Sequence, residues 1–188
     1  MPLQENPSPT TILTIGYGNS SLKRFISLLK KFSVEYLLDV RSSPYSRFNP
    51  QFSKEPLENI LKQEDIRYVF MGRELGGKPD DENCYTNGKV DYNKLQTQSY
   101  YLEGIQRIEA ALQKQLRIAL MCSELQPERC HRSKLIGQTL AQRNIDVQHI
   151  CQDGALMSQQ MAIDRLNRSQ LNLFEQSYTS RNIYRKPE

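Results

Sequence analysis

Residues 117–140 read RIALMCSELQPERCHRSKLIGQTL. The opening RIALMC is largely apolar and is followed by a polar, proline-containing stretch, which predicts a buried strand over 117–122. From residue 132 onward Leu135, Ile136 and Leu140 recur at helical spacing, predicting a helix over 132–143. Strand, short loop and amphipathic helix are the building block of a β-α-β crossover.

The same alternation runs outward in both directions. Towards the N-terminus, TILTIG (11–16) reads as a buried β-branched strand ending on glycine. A helix follows, capped by Ser20 or Ser21, with Leu22, Phe25, Ile26, Leu29 and Phe32 on one face. A second strand, YLLDVR (36–41), leads into a polar loop over 42–53. There Ser53 is placed to cap a helix carrying Leu57, Ile60 and Leu61. IRYVF (66–70) is a third strand, and the Gly- and Asp-rich segment 71–92 shows no periodicity. A helix through 93–115 then leads into the strand at 117–122. Towards the C-terminus, DVQHIC (146–151) is a fifth strand, followed by a short amphipathic helix at about 156–167 and a polar tail.

Strands alternating with amphipathic helices predict a three-layer α/β fold: a mostly parallel sheet of about five strands with helices on both faces. The expected organisation is a mobile lead-in over 1–10, an α/β domain over 11–151, and a C-terminal helix and tail over 152–188. Composition agrees with one packed domain, at 188 residues with 38% hydrophobic and 24% charged. No apolar run approaches the ~20 residues a membrane crossing needs, so no membrane association is expected. The polar start MPLQENPSPT predicts no signal peptide. Four cysteines, Cys84, Cys122, Cys130 and Cys151, are too few and too scattered for a disulfide framework, so reduced thiols and a cytoplasmic location are expected. A net charge of +4 permits an anionic partner, a small molecule or a nucleic acid, without demanding one.

Parallel sheets bind ligands beyond the carboxyl ends of their strands. The residues there include Gly16–Asn19, Asp39–Ser42, Met71–Glu74, Cys122–Glu124 and Cys151. Cys130, His131 and Arg132 open the helix after the fourth strand, where free N–H groups and the dipole favour anions. The same surroundings lower a thiol pKa, and the thiolate is the nucleophilic form. The spacing from Cys122 to Arg129 is one residue longer than in the cysteine–arginine loops of rhodaneses and tyrosine phosphatases, and the loop lacks their glycines. Asp39, Arg41, Tyr45 and Arg47 stand on one loop, suited either to phosphate clamping with base stacking or to a structural Asp39–Arg41 pair. Zinc has candidate ligands in Cys122, Cys130, His131, His149 and Cys151, but the spacings match no finger or ribbon, and no metal is assigned. Gly16-x-Gly18-x-x-Ser21 with Asp39 is a partial nicotinamide or flavin fingerprint lacking its third glycine. The sequence names no cofactor.

TIGYGN, LLDVRSSPYSRFNPQFS, the ELGG at Glu74–Gly77 and MCSE-x5-CHR at Met121–Arg132 together resemble the domain of unknown function 488 family, over about residues 11–151. The resemblance implies a compact α/β domain and no particular reaction. It places Asp39, Arg41, Pro44, Arg47, Gly76, Gly77, Cys122, Glu124, Cys130, His131 and Arg132 at the family's motif positions. In the tail, Gln170-Leu171-Asn172-Leu173-Phe174 is similar to the peptide by which repair and replication proteins dock on the bacterial sliding clamp. There a glutamine hydrogen-bonds, and leucine and phenylalanine fill apolar pockets.

The expected function is an enzyme acting on a phosphate-bearing substrate, a nucleotide or a nucleic-acid end, in DNA maintenance. Arg41, Arg47 and Arg132 would hold the anion, and Asp39, Tyr45, Gly76 and Gly77 would complete the substrate surface. Glu124 or His131 would transfer the proton, and Cys122 or Cys130 would be the nucleophile if catalysis is covalent. The alternatives are a non-catalytic nucleotide or nucleic-acid binding module recruited by a sliding clamp, and a zinc-dependent enzyme.

Overall fold

Side chains alternate across a strand, and in this chain both sides of the sheet are apolar. Along β6 (Ile118–Cys122), Ile118, Leu120 and Cys122 enter one core cluster, while Ala119 and Met121 enter the other. The computed structural model describes residue 8, residues 10–169 and residues 179–184. Most of the 1–10 lead-in and the peptide at 170–174 lie outside the described residues.

Five strands run parallel: β1 (Ile12–Gly16), β2 (Tyr36–Asp39), β3 (Arg67–Phe70), β6 and β7 (Val147–Ile150). The strand β8 (Leu156–Ser158) extends the sheet antiparallel to β7, giving the order β3-β2-β6-β1-β7-β8. The expected three-layer α/β fold is therefore present, with one more strand than expected. Helices α1 (Leu22–Lys31) and α2 (Lys54–Gln63) cover the face with Leu13, Ile15, Leu37 and Met121. The other face packs on α5 (Ser99–Gln113) through Tyr101, Ile105 and Ile108, and on Leu135, Ile136 and Leu140. No helix among the described residues is long and apolar enough to cross a membrane.

Several expected elements differ in detail. Ser21 caps α1, its side chain accepting from the Arg24 N–H at 3.2 Å. Ser53 precedes α2 without capping it; its hydroxyl instead accepts the Ser46 N–H at 3.0 Å and ties down the loop. The helix expected through 93–115 is broken into α4 (Tyr92–Leu95) and α5, with α3 (Gly72–Leu75) packed on the latter. Between α4 and α5, Gln98 is extended, at φ −73° and ψ 138°, and starts the second helix in a new direction. The 71–92 segment contains a hairpin of β4 (Tyr85–Thr86) and β5 (Lys89–Val90). The helix expected at 132–143 begins as a π-helical stretch, Arg132–Gly137, and becomes α6 (Gln138–Gln142). The segment expected as a helix over 156–167 starts as β8 before turning into α7 (Gln159–Ser169).

This strand order places the carboxyl ends of β2, β6 and β1 side by side. Asp39 is level with Met121, and Gly16 with Cys122.

A thiol–imidazole cleft at the carboxyl edge of the sheet

A cleft of about 340 Å³ opens above these three strand ends. Cys122 ends β6 on its floor. The loop after β6 carries Ser123, Glu124 and Arg129 along one side and returns Cys130 and His131 beside Cys122. Arg41, Tyr45, Gly77 and Lys78 line the opposite side. A segment near the C-terminus completes the wall with Ser180, Arg181, Asn182 and Tyr184. This strap is held by Ser180 N–H to the Val90 carbonyl (3.0 Å), Tyr184 N–H to the Gly88 carbonyl (2.8 Å), and Lys134 Nζ to the Thr179 carbonyl (2.7 Å).

His131 joins the two thiols. Its Nε2 lies 2.9 Å from the Val40 carbonyl, an acceptor only, so Nε2 carries the proton. Nδ1 is then the free lone pair, 3.8 Å from Cys122 Sγ and 3.7 Å from Cys130 Sγ. The three ligand atoms lie within 4.8 Å of one another. A hydrogen bond from Cys130 holds the Cys122 thiol well below its ordinary pKa; burial opposes this, and His131 and Arg132 add to the lowering. Burial and the neighbouring Cys122 charge push Cys130 up. The arrangement thus favours ionisation of Cys122 ahead of Cys130.

Two cationic side chains are buried beside the thiols, Arg132 acting on Cys122 and Lys134 on Cys130. Arg132 is 1% exposed; its Nη1 and Nη2 donate to the carbonyls of Glu124 and Leu125 at 2.5 and 2.9 Å. Lys134, also buried, lies over the Tyr92 ring at 5.5 Å. Among the described residues neither forms an ion pair with a carboxylate. A buried charge without a counter-charge costs several kcal/mol, and a Cys122 thiolate supplies one.

The expected site residues divide on inspection. Glu124, His131, Cys122, Cys130, Arg41, Tyr45 and Gly77 all line the cleft. Arg132 does not: expected to hold an anion, it is buried beneath the site and spends its fork on loop carbonyls. Asp39 is buried as well, accepting from Arg41 Nε and Nη2 at 2.9 and 2.6 Å and from the Tyr68 hydroxyl at 2.6 Å. The structural pairing of Asp39 with Arg41 is thus the arrangement present, and Asp39 has no face to offer a substrate. Arg41 retains one further contact, to the Tyr17 hydroxyl at 3.3 Å. Arg47 is exposed outside the cleft wall, over the Phe48 ring at 5.8 Å. Gly76 and Gly77 allow close packing: a Cβ on Gly76 would lie 2.5 Å from Ser42 Oγ, and one on Gly77 2.6 Å from His131 Cγ. Glu124 is ion-paired to Arg181 at 3.0 Å.

Of the five zinc candidates, Cys122, Cys130 and His131 converge. His149 is elsewhere, with Nδ1 2.7 Å from Thr14 Oγ1 and Nε2 2.9 Å from Gln159 Oε1; Cys151 Sγ donates to the His149 carbonyl. The partial dinucleotide fingerprint at Gly16 packs against the loop after β6. A Cβ at Gly16 would collide with the Glu124 carbonyl and the Arg132 guanidinium, so that turn is filled by protein. The residues that sequence reasoning missed are Lys78, Tyr92 and the strap at 180–184. A gap of 50 residues or more in the chain separates the strap from Cys122 and Cys130, and no local pattern marks that proximity.

Fold and site together define a parallel α/β protein with a thiol–imidazole cleft at the carboxyl edge of its sheet. The family described as a domain of unknown function, DUF488, matches residues 21–138, and the chain belongs to it. No curated protein and no solved structure matches the chain.

Proposed function

We propose that the protein is an enzyme that uses the Cys122 thiolate as a nucleophile on a phosphate-bearing substrate. The observation that carries this reading is the fixed tautomer of His131. Its Nε2–H on the Val40 carbonyl leaves Nδ1 to take the Cys122 proton, and the same bond remains to orient the imidazolium. Lys78 and Arg129 around the opening supply positive charge for a phosphate, while Arg181 is paired with Glu124. Tyr45 and Tyr184, both exposed at the cleft, supply aromatic faces for a nucleobase.

The test is the rate of iodoacetamide alkylation at each cysteine against pH, with and without inorganic phosphate. Cys122 should react first, with a midpoint below the ~8.5 of a free thiol, and phosphate should slow it. Equal reactivity of all four thiols, or no protection by phosphate, overturns the reading. A zinc-dependent enzyme is the second reading, favoured by the convergence of Cys122, Cys130 and His131 and by the carbonyl that orients the imidazole. The flanking Arg132 and Lys134 weigh against a further cation there. Stoichiometric zinc in protein purified without chelator, with Cys122 shielded from alkylation, would establish it instead.

A further inference from the structure

We propose that Cys122 and Cys130 form a reversible disulfide on exposure to hydroperoxide, with Cys122 oxidised first and Cys130 closing the bond. This rests on the reading of Cys122 as the reactive thiol and adds a second chemistry to the same site. The geometry that points to it is the placement of the two sulfurs. Both lie against one imidazole nitrogen, Nδ1 of His131, at 3.8 and 3.7 Å, and within 4.8 Å of each other. Cys122 faces a cleft wide enough for a small peroxide, and Cys130 lines the same cleft. The other two thiols are engaged elsewhere. Cys84 Sγ meets Asp81 Oδ2 at 3.9 Å and the Tyr100 hydroxyl at 3.6 Å, and Cys151 Sγ meets the His149 carbonyl at 3.8 Å.

The chemistry balances in two steps. The Cys122 thiolate attacks one oxygen of the hydroperoxide and the O–O bond breaks. The leaving alkoxide or hydroxide takes from His131 Nδ1 the proton that Cys122 gave it on ionising, His131 returns to its neutral form, and Cys122 becomes a sulfenic acid, oxidised by two electrons. Cys130 then attacks the Cys122 sulfur, the S–O bond breaks, and the hydroxide leaves as water with the Cys130 proton. An external dithiol returns two electrons and two protons to restore both thiols. The loop over 123–129 lies outside the sheet and ends in a short 3-10 turn, Pro127–Arg129, so Cys130 can approach Cys122 without moving β6. The product removes the nucleophile and also the charge that faces Arg132. Oxidation therefore turns the site off, and it keeps Cys122 from passing on to the irreversible sulfinic acid.

The experiment treats the full chain with hydrogen peroxide, blocks remaining thiols with iodoacetamide and maps the tryptic peptides by mass. Cleavage after Arg129 and Arg132 separates the two cysteines, so a disulfide joins two peptides. The expected result is that cross-link alone, with Cys84 and Cys151 still free, and full recovery of both thiols by dithiothreitol. In Cys130→Ser, dimedone should trap Cys122 as sulfenic acid, and longer exposure should give sulfinic acid that dithiothreitol does not restore. Sulfinic acid on Cys122 of the unsubstituted chain with Cys130 still free overturns the proposal, as does a cross-link through Cys84 or Cys151. These outcomes need no variant to fold. The unoxidised protein alkylated in parallel separates the two failures: preferential alkylation of Cys122 without a cross-link overturns only the disulfide.

Discussion

Arg132 is the residue on which the site's charge balance turns. It is large, buried, and carries a cation into the protein next to two thiols, yet its Nη1 and Nη2 donate to the carbonyls of Glu124 and Leu125 and its Nε meets no acceptor among the described residues. It therefore both shapes the loop after β6 and favours ionisation of Cys122. Arg132→Met keeps most of the volume and removes both effects. The substitution should cost roughly 1–3 kcal/mol of stability, the range for buried hydrogen-bonding groups left without a partner, and should raise the pH midpoint of Cys122 alkylation. Denaturant titration and the alkylation profile check the two parts separately. At this scale the sequence revealed much: Cys122, Glu124 and Arg41 are legible as strand-end residues and Cys130 and His131 as the opening of the next helix, and all line the cleft. What it could not reveal is orientation. Whether a first-turn arginine reaches outward to a ligand or folds back onto carbonyls depends on the loop's path, which no spacing encodes.

Among the elements, the β4–β5 hairpin shows what a local signal can carry. Thr86-Asn87-Gly88-Lys89 has Asn-Gly at its centre, and both residues have positive φ, 50° and 73°, as a type I′ turn requires. The pair was readable in a segment lacking periodicity, and the two-residue strands around it are too short to announce themselves. The hairpin matters because the Gly88 carbonyl accepts from Tyr184, anchoring the strap that closes the cleft. Gly88→Ala forces a Cβ into the left-handed region and should cost about 1–2 kcal/mol, whereas Asn87→Gly should be close to neutral. Urea denaturation of the two variants checks the difference. Other mismatches have equally specific causes. The break between α4 and α5 sits at Gln98, whose extended backbone interrupts the helix. The conversion of residues 156–158 into an edge strand follows from the unpaired side of β7, a tertiary demand that overrides local preference.

For the molecule as a whole, His149 sets the acid limit of stability. Burial, aided by Arg132, pushes its pKa down to about 3, from an ordinary 6.5. The folded state therefore holds the neutral ring, while the unfolded chain takes up a proton below about pH 6.5. Stability is complete above that value and falls as the pH drops from 6.5 towards 3, by about 2 kcal/mol at pH 5 from this residue alone. Melting curves from pH 7.5 to 5 should show the decline, and His149→Gln should flatten it while lowering stability at neutral pH. The tail carries a separate expectation. If residues 170–174 dock on a sliding clamp, binding should be on the order of micromolar and should largely vanish in the double variant Leu173→Ala, Phe174→Ala. Its melting temperature should stay that of the parent chain. Calorimetry with purified clamp and a thermal melt decide the matter.

The strand order has one more effect, and it is a matter of time. Leu13 in the first strand pairs with Ala119 and Gln148, partners that follow it by more than a hundred residues. At a synthesis rate of ~5–20 residues per second, the first strand waits about 5–20 s before either neighbour exists. During that interval its apolar faces have no sheet to enter. β1 cannot enter the sheet until β6 has been made, and in pulse-labelled nascent chains shorter than about 120 residues protease should cut within residues 10–16 as readily as in unfolded protein.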